Sequence, residues 1–87
     1  MEIKGLKMIT KQKVKKEFEE RYKQWMFYDC VIFGENRVEI KVVEVAGRTA
    51  NLLMMTIPIH CFNDEPEISD LDWSEVSVCP YDPKKDW

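Results

Sequence analysis

The hydrophobic pattern changes its period once along this chain, and that change limits what the chain can fold into. Before residue 26, large apolar side chains recur every three or four residues along one face of a predicted α-helix: Val14, Phe18, Tyr22 and Trp25. Residues 37–42 instead alternate polar and apolar side chains, as in a strand with one buried face. The predicted order is one N-terminal helix followed by antiparallel strands, an α+β fold.

The helix is expected to run from about Thr10, a residue type that caps helix N-termini, to Trp25. Residues 26–33 are rich in aromatic and β-branched side chains, and a turn beginning at Gly34 connects them to residues 37–42, which predicts a β-hairpin. The alternation slips where two valines follow each other at 42 and 43. This slip predicts a β-bulge or a change of pairing partner at that point.

The rest of the chain supplies the other predicted strands. Residues 49–57 are apolar without alternation, as expected for a central strand covered on both faces, and Pro58 should end its pairing. Residues 73–79 alternate again and make a fourth strand. The whole chain, 1–87, is predicted to be a single small domain, with 80–87 as an extended tail.

Three or four antiparallel strands after one helix can form either an open layer or a small curled barrel. A helix followed by a meander with short loops superficially resembles Sm-like and SH3-like barrels. No motif residue supports that likeness, so it implies nothing about function.

The charges are divided unevenly along the chain. The 87 residues carry 13 Lys or Arg and 16 Asp or Glu, for a net charge of −3. Residues 1–48 hold 11 of the cations and 8 of the anions, whereas residues 49–87 hold 2 cations and 8 anions. The second half is therefore strongly acidic, which bears on partners rather than on fold.

No pattern in the sequence predicts a catalytic or metal centre. Three cysteines and one histidine match the ligand number of a Cys3His zinc site, but Cys30, Cys61 and Cys79 lack the close spacing of such ligands. His60 and Cys61 are adjacent, so in extended chain their side chains point to opposite sides. A dyad of His60 with Cys30 or Cys79 across the sheet stays open. We expect no enzymatic activity, no cofactor and no metal.

Residues 61–81 contain six carboxylates and no cation. Such a segment attracts a basic partner over long range, and Trp73 is the candidate for a short-range anchor. The predicted function is a protein-interaction module that occupies a basic, nucleic-acid-binding site on a partner protein. We call the assigned residues the acidic surface: Asp64, Glu65, Glu67, Asp70, Asp72, Trp73 and Glu75. The alternative is an ordinary solvated loop that docks Ile68, Leu71 and Trp73 into the core.

In its size, its acidity and its lack of a catalytic motif, the chain resembles small inhibitors that phages and other mobile elements encode, including anti-CRISPR proteins. The resemblance is one of general character and covers no motif residue. It implies an inhibitor that acts by binding.

Two other functions stay open. Direct nucleic-acid binding would use the lysine-rich start of the helix, but the helix surface mixes both signs of charge. The lysines concerned are Lys7, Lys11, Lys13, Lys15 and Lys16. The other function is an oligomeric structural component, for example a homodimer, with residues 49–57 buried between subunits.

The sequence also predicts where the protein is found. No apolar run approaches the ~20 residues that a membrane-spanning helix needs, and the first residues do not resemble a secretion signal. We expect a cytoplasmic protein that does not bind membranes.

Overall fold

A computed structural model describes residues 9–34, 36–60 and 67–84 of the chain. Helix α1 (Lys11–Arg21) precedes four strands: β1 (Trp25–Phe33), β2 (Arg37–Ala46), β3 (Thr49–Pro58) and β4 (Ser77–Pro80). Two 3₁₀ turns, Ile68–Asp70 and Trp73–Glu75, lie between β3 and β4. Each strand pairs antiparallel with the next, in the order β1-β2-β3-β4. The predicted α+β class is confirmed, and the sheet is an open layer rather than a closed barrel.

Helix α1 begins where its sequence predicts. Thr10 is extended, with φ −128°, and its Oγ1 accepts a hydrogen bond from the backbone N–H of Lys13 at 3.2 Å. This bond satisfies one of the N–H groups that a helix leaves unpaired at its start. Val14 and Phe18 are fully buried, so the predicted apolar face is the face that packs on the sheet.

The helix ends at Arg21, four residues earlier than predicted. Tyr22 still donates its N–H to the carbonyl of Phe18 at 2.8 Å, but its own backbone leaves the helical region. Trp25, at helical spacing from Tyr22, is instead the first residue of β1. After the chain turns, its ring stacks on that of Tyr22 with centroids 5.5 Å apart, so it joins the same apolar cluster from the sheet.

The prediction of a β-bulge or a change of pairing partner at Val42 and Val43 is wrong. The β2–β3 register runs without a break from Arg37 to Ala46, and the irregularity lies in β1, between Phe27 and Asp29. Two consecutive valines occur because Val42 faces the core and Val43 faces the opposite side of the sheet. Both sides carry apolar residues at this point, so the slip in alternation reflects a two-sided apolar strand.

The main core lies between α1 and one face of the sheet, which we call the inner face. Its fully buried side chains come from the helix and from the first three strands: Val14, Phe18, Cys30, Val38, Ile40, Val42, Met55 and Ile57. Phe18 meets Phe27 of β1 edge to face, with ring centroids 6.0 Å apart. Val14 and Phe18 of the helix and the alternating apolar residues of β2 are therefore confirmed as core residues.

β3 is covered less completely than its sequence predicts. Residues 45–52, which include the β2–β3 turn, are exposed, because the helix packs on β1 and does not reach this end. Further along the strand, Met55 lies in the core, while Met54 is 3% exposed on the opposite, outer face. Pro58 is the last residue of the strand, as expected from its missing N–H donor.

Candidate functional site

The described part of the acidic surface, residues 67–75, is attached to the chain just after β3. Ile59 and Leu71 form an isolated antiparallel bridge, and both side chains are buried in the core. On either side of it, the N–H of His60 donates to the carbonyl of Asp70, and the N–H of Asp72 donates to that of Pro58, each at 2.9 Å. The segment is therefore fixed by backbone pairing as well as by a buried side chain. Asp64 and Glu65 lie outside the described residues.

Two carboxylates of this segment also shape its backbone. Asp70 Oδ2 accepts a hydrogen bond from the N–H of Glu67 at 2.8 Å. Asp72 Oδ1 accepts from the N–H of Ser74 at 3.0 Å and from the Ser74 hydroxyl. The side-chain hydrogen bond from Ser74 is the main reason why the pKa of Asp72 lies below its usual value. Asp70 and Asp72 therefore hold the local turns in place.

Trp73 packs toward the helix. Its ring lies 6.1 Å from that of Tyr22, and the guanidinium carbon of Arg21 is 4.8 Å from its centroid. The side chain is half-buried, and no described residue accepts a hydrogen bond from its buried Nε1. Ile68 is also half-buried against the core and Leu71 is buried, so the segment has the docking residues that the solvated-loop alternative required.

The bridge at Ile59 and Leu71 brings the imidazole of His60 to two of the predicted acidic residues. His60 Nε2 lies 3.1 Å from Asp72 Oδ2 and 3.6 Å from Glu75 Oε1. The three ligand atoms all lie within 4.8 Å of one another. The side chains of His60 and Glu75 are largely exposed, and that of Asp72 is less so. We call these three residues the His–carboxylate cluster; among the described residues, no other group of three or more His, Cys, Asp or Glu side chains brings its ligand atoms together in this way.

Sequence reasoning assigned Asp72 and Glu75 to the acidic surface but missed their contact with His60. Only the pairing of residues 58–60 with 70–72 joins them, and that pairing is remote in sequence. One signal was present, because Ile59 and Leu71 are each an apolar residue between two non-core neighbours. That pattern is too common to identify two segments as partners.

The cysteines do not form a zinc site in the described residues. Cys30 is fully buried in the core, where burial raises the pKa of its thiol to about 11. Cys79 is exposed on β4, and Cys61 lies outside the described residues. Cys30 and Cys79 both occupy strand positions, as expected for small side chains in a sheet.

The predicted lysine site is spread around the start of α1. Lys11, Lys13, Lys15 and Lys16 lie in its first turns, and Lys7 lies outside the described residues. The Nζ of Lys11 is 3.4 Å from Asp29 Oδ1, at the irregularity in edge strand β1. Lys15 and Lys16 are exposed.

The outer face of the sheet carries aromatic rings beside cations. The guanidinium carbon of Arg37 is 4.3 Å from the ring centroid of Phe33. Lys41 Nζ lies 5.5 Å from the ring centroid of Tyr28 and 4.5 Å from that of Tyr81. Tyr28 is 64% exposed and lies at the irregularity in edge strand β1.

Comparison with known proteins identifies no relative of this chain. No protein-family model, no curated protein and no solved structure matches the chain. Among the described residues, no helix is both long and apolar enough to span a membrane.

Proposed function

We propose that this chain is a small, non-enzymatic protein-interaction module that inhibits a partner by binding its basic, nucleic-acid-binding site. The observation that carries the proposal is the attachment of residues 67–75 to the end of β3 through Ile59 and Leu71. The attachment turns an acidic stretch of sequence into a surface of fixed shape. From residue 67 to residue 83 the chain has no Lys or Arg.

Preorganisation supports the proposal. Asp70 and Asp72 already accept hydrogen bonds from the backbone of their own turns, so a partner would not have to order them. Among the described carboxylates of the acidic surface, Glu75 is the most exposed, with its side chain 65% exposed. Carboxylates held in this way give electrostatic steering and a defined register against a cationic groove.

Trp73 takes a different part in this proposal from that of an exposed anchor. Its ring is held between α1 and the acidic segment, beside Tyr22 and Arg21. Truncating it would disturb the fold and the surface together. The exposed carboxylate of Glu75 is consequently the sharper position at which to test partner binding.

The test is affinity purification from the native host, with nuclease treatment, using three forms of the protein as bait. Wild type and Glu19→Lys should capture the same partner at low salt, because Glu19 is an exposed helix residue outside the acidic surface. Glu75→Lys should not capture that partner, and high salt should release the partner from the two forms that do. Capture that resists salt, that needs nucleic acid, or that Glu75→Lys leaves intact would count against the proposal.

A second candidate function, self-association, is favoured by the outer face near the β2–β3 turn. The register aligns Met26, Val43 and Leu52 across three strands, and Met26 and Leu52 are exposed. A second copy of the chain could bury this row. Sedimentation across a concentration series tests it: a dimer that Leu52→Lys dissociates supports this function, and a monomer at every concentration excludes it.

A further inference from the structure

The His–carboxylate cluster presents one nitrogen and two carboxylate oxygens to a common point near the protein surface. We propose that His60, Asp72 and Glu75 form a binding site for a divalent transition-metal ion of the Zn²⁺ class. The sequence predicts no metal site, because the cysteines are not spaced as zinc ligands with His60. In the structure, His60 lies instead beside two carboxylates that could bind the same ion.

The spacing of the ligand atoms fits such an ion. Zn²⁺ binds imidazole nitrogen and carboxylate oxygen at about 2.0–2.2 Å, so two ligands of a tetrahedral site lie roughly 3.4 Å apart. The Nε2 of His60 lies 3.1 Å from Asp72 Oδ2 and 3.6 Å from Glu75 Oε1, on either side of that value. All three atoms lie within 4.8 Å of one another, so small side-chain adjustments would let all three bind the same ion.

The backbone holds two of the ligands before any ion binds. His60 and Asp72 are on opposite sides of the bridge, and the N–H of each is hydrogen-bonded across it, to Asp70 and Pro58. Asp72 Oδ1 is occupied by Ser74, which leaves Oδ2 directed at the imidazole. Glu75 follows within the same 3₁₀ turn as Ser74. Hydrogen bonds that orient ligands in this way are typical of metal sites.

Charge and ligand type indicate the class of ion. Two carboxylates converge beside the imidazole, and a divalent cation would neutralise their negative charge. An imidazole ligand favours Zn²⁺ and related transition metals, whereas Mg²⁺ and Ca²⁺ prefer oxygen ligands alone. Because His60 and Glu75 are exposed, water can occupy the remaining coordination position. The competing explanation is direct contact of His60 with both carboxylates and no bound ion.

Calorimetric titration of the full chain with Zn²⁺ tests the proposal, in a Cys61→Ser, Cys79→Ser background that removes the thiols able to bind zinc elsewhere. We expect one Zn²⁺ per chain. His60→Gln and Glu75→Gln should each weaken binding by roughly tenfold or more. Each removes a direct ligand, and even the loss of a hydrogen-bond partner of a ligand costs about tenfold or more in metal affinity. Glu19→Gln, which removes the same charge from an exposed helix position, should leave the affinity unchanged.

Nitrogen-edited NMR of the same samples shows where the ion binds. Zn²⁺ should shift the His60 ring nitrogens and the amides near Asp72 and Glu75, and the spectrum without metal confirms that each variant is folded. The proposal is overturned if no saturable binding occurs up to millimolar Zn²⁺, or if Glu75→Gln binds as tightly as its parent. It is also overturned if the ring signals of His60 do not move, since the ion would then lie elsewhere.

Discussion

Ile59 and Leu71 face each other across a single antiparallel bridge, with side chains only 7% and 5% exposed. This contact joins the acidic segment to the end of β3 and places the imidazole of His60 beside the carboxylate of Asp72. One apolar pair therefore supports both the acidic surface and the His–carboxylate cluster.

We expect Leu71→Ala to lower the free energy of unfolding by about 2–4 kcal/mol, because it leaves a cavity in the core beneath the segment. Val45→Ala is the control, since Val45 is 58% exposed near the end of β2 and its truncation should change stability by about 0.5 kcal/mol or less. Urea unfolding measures both variants. Equal losses in the two would show that the bridge does not anchor the segment.

The local hydrophobic pattern predicts the helices and strands that bury a single face. Thr10 as the cap of α1, Val14 and Phe18 as its buried face, and the alternation of β2 follow from spacing alone, because a single period decides which side chains are buried. The fold class followed from the order of these elements. Trp25 has the spacing of a helix residue, but its ring reaches the same cluster from β1, and periodicity cannot distinguish those two arrangements.

Features that depend on pairing between distant segments could not be predicted. The irregularity in β1 lies between Phe27 and Asp29, in a run of side chains that does not alternate between polar and apolar, so the pattern gives no sign of the extra residue, Tyr28. His60 meets Asp72 and Glu75 only through the bridge at Ile59. The charge pattern identified the acidic segment, whereas the shape of that segment comes from tertiary contacts.

Tyr81 contributes to the sheet although sequence reasoning placed it in an extended tail. Its N–H donates to the carbonyl of Leu52 at 3.0 Å, and its ring lies 4.5 Å from the Nζ of Lys41. Lys41 pairs with buried Met54 in the neighbouring strand. Tyr81→Ala should therefore lower the free energy of unfolding by about 1–2 kcal/mol.

Tyr28 provides the comparison for that measurement. It also lies over Lys41, but it is 5.5 Å away and largely exposed, so Tyr28→Ala should change stability by about 0.5 kcal/mol or less. Thermal or urea unfolding of both variants measures the two changes in the free energy of unfolding. A loss with Tyr28→Ala as large as with Tyr81→Ala would show that the closer approach of Tyr81 to Lys41 does not decide the stability of this face.

The two described cysteines should differ sharply in reactivity. Cys79 is exposed, whereas Cys30 is fully buried and has a thiol pKa of about 11, so at pH 8 roughly one Cys30 thiol in a thousand is ionised. In a Cys61→Ser background, iodoacetamide at pH 8 should modify Cys79 rapidly and Cys30 only after unfolding. Mass spectrometry of the peptides measures each rate. Comparable native-state rates would contradict the burial of Cys30.

The raised pKa of Cys30 also predicts how stability depends on pH. Burial is its main cause, and it raises the thiol pKa from 9.0 to about 11. Between these values the native chain keeps a proton that the unfolded chain releases. The contribution of this thiol is therefore complete below pH 9 and is lost as the pH rises toward about 11. Lysines and tyrosines titrate in the same range, so the measurement is the difference in unfolding free energy between the protein and Cys30→Ala at each pH. That difference should shrink steadily across the interval, because alanine has no proton to lose, and a constant difference would show that the buried thiol does not ionise on unfolding.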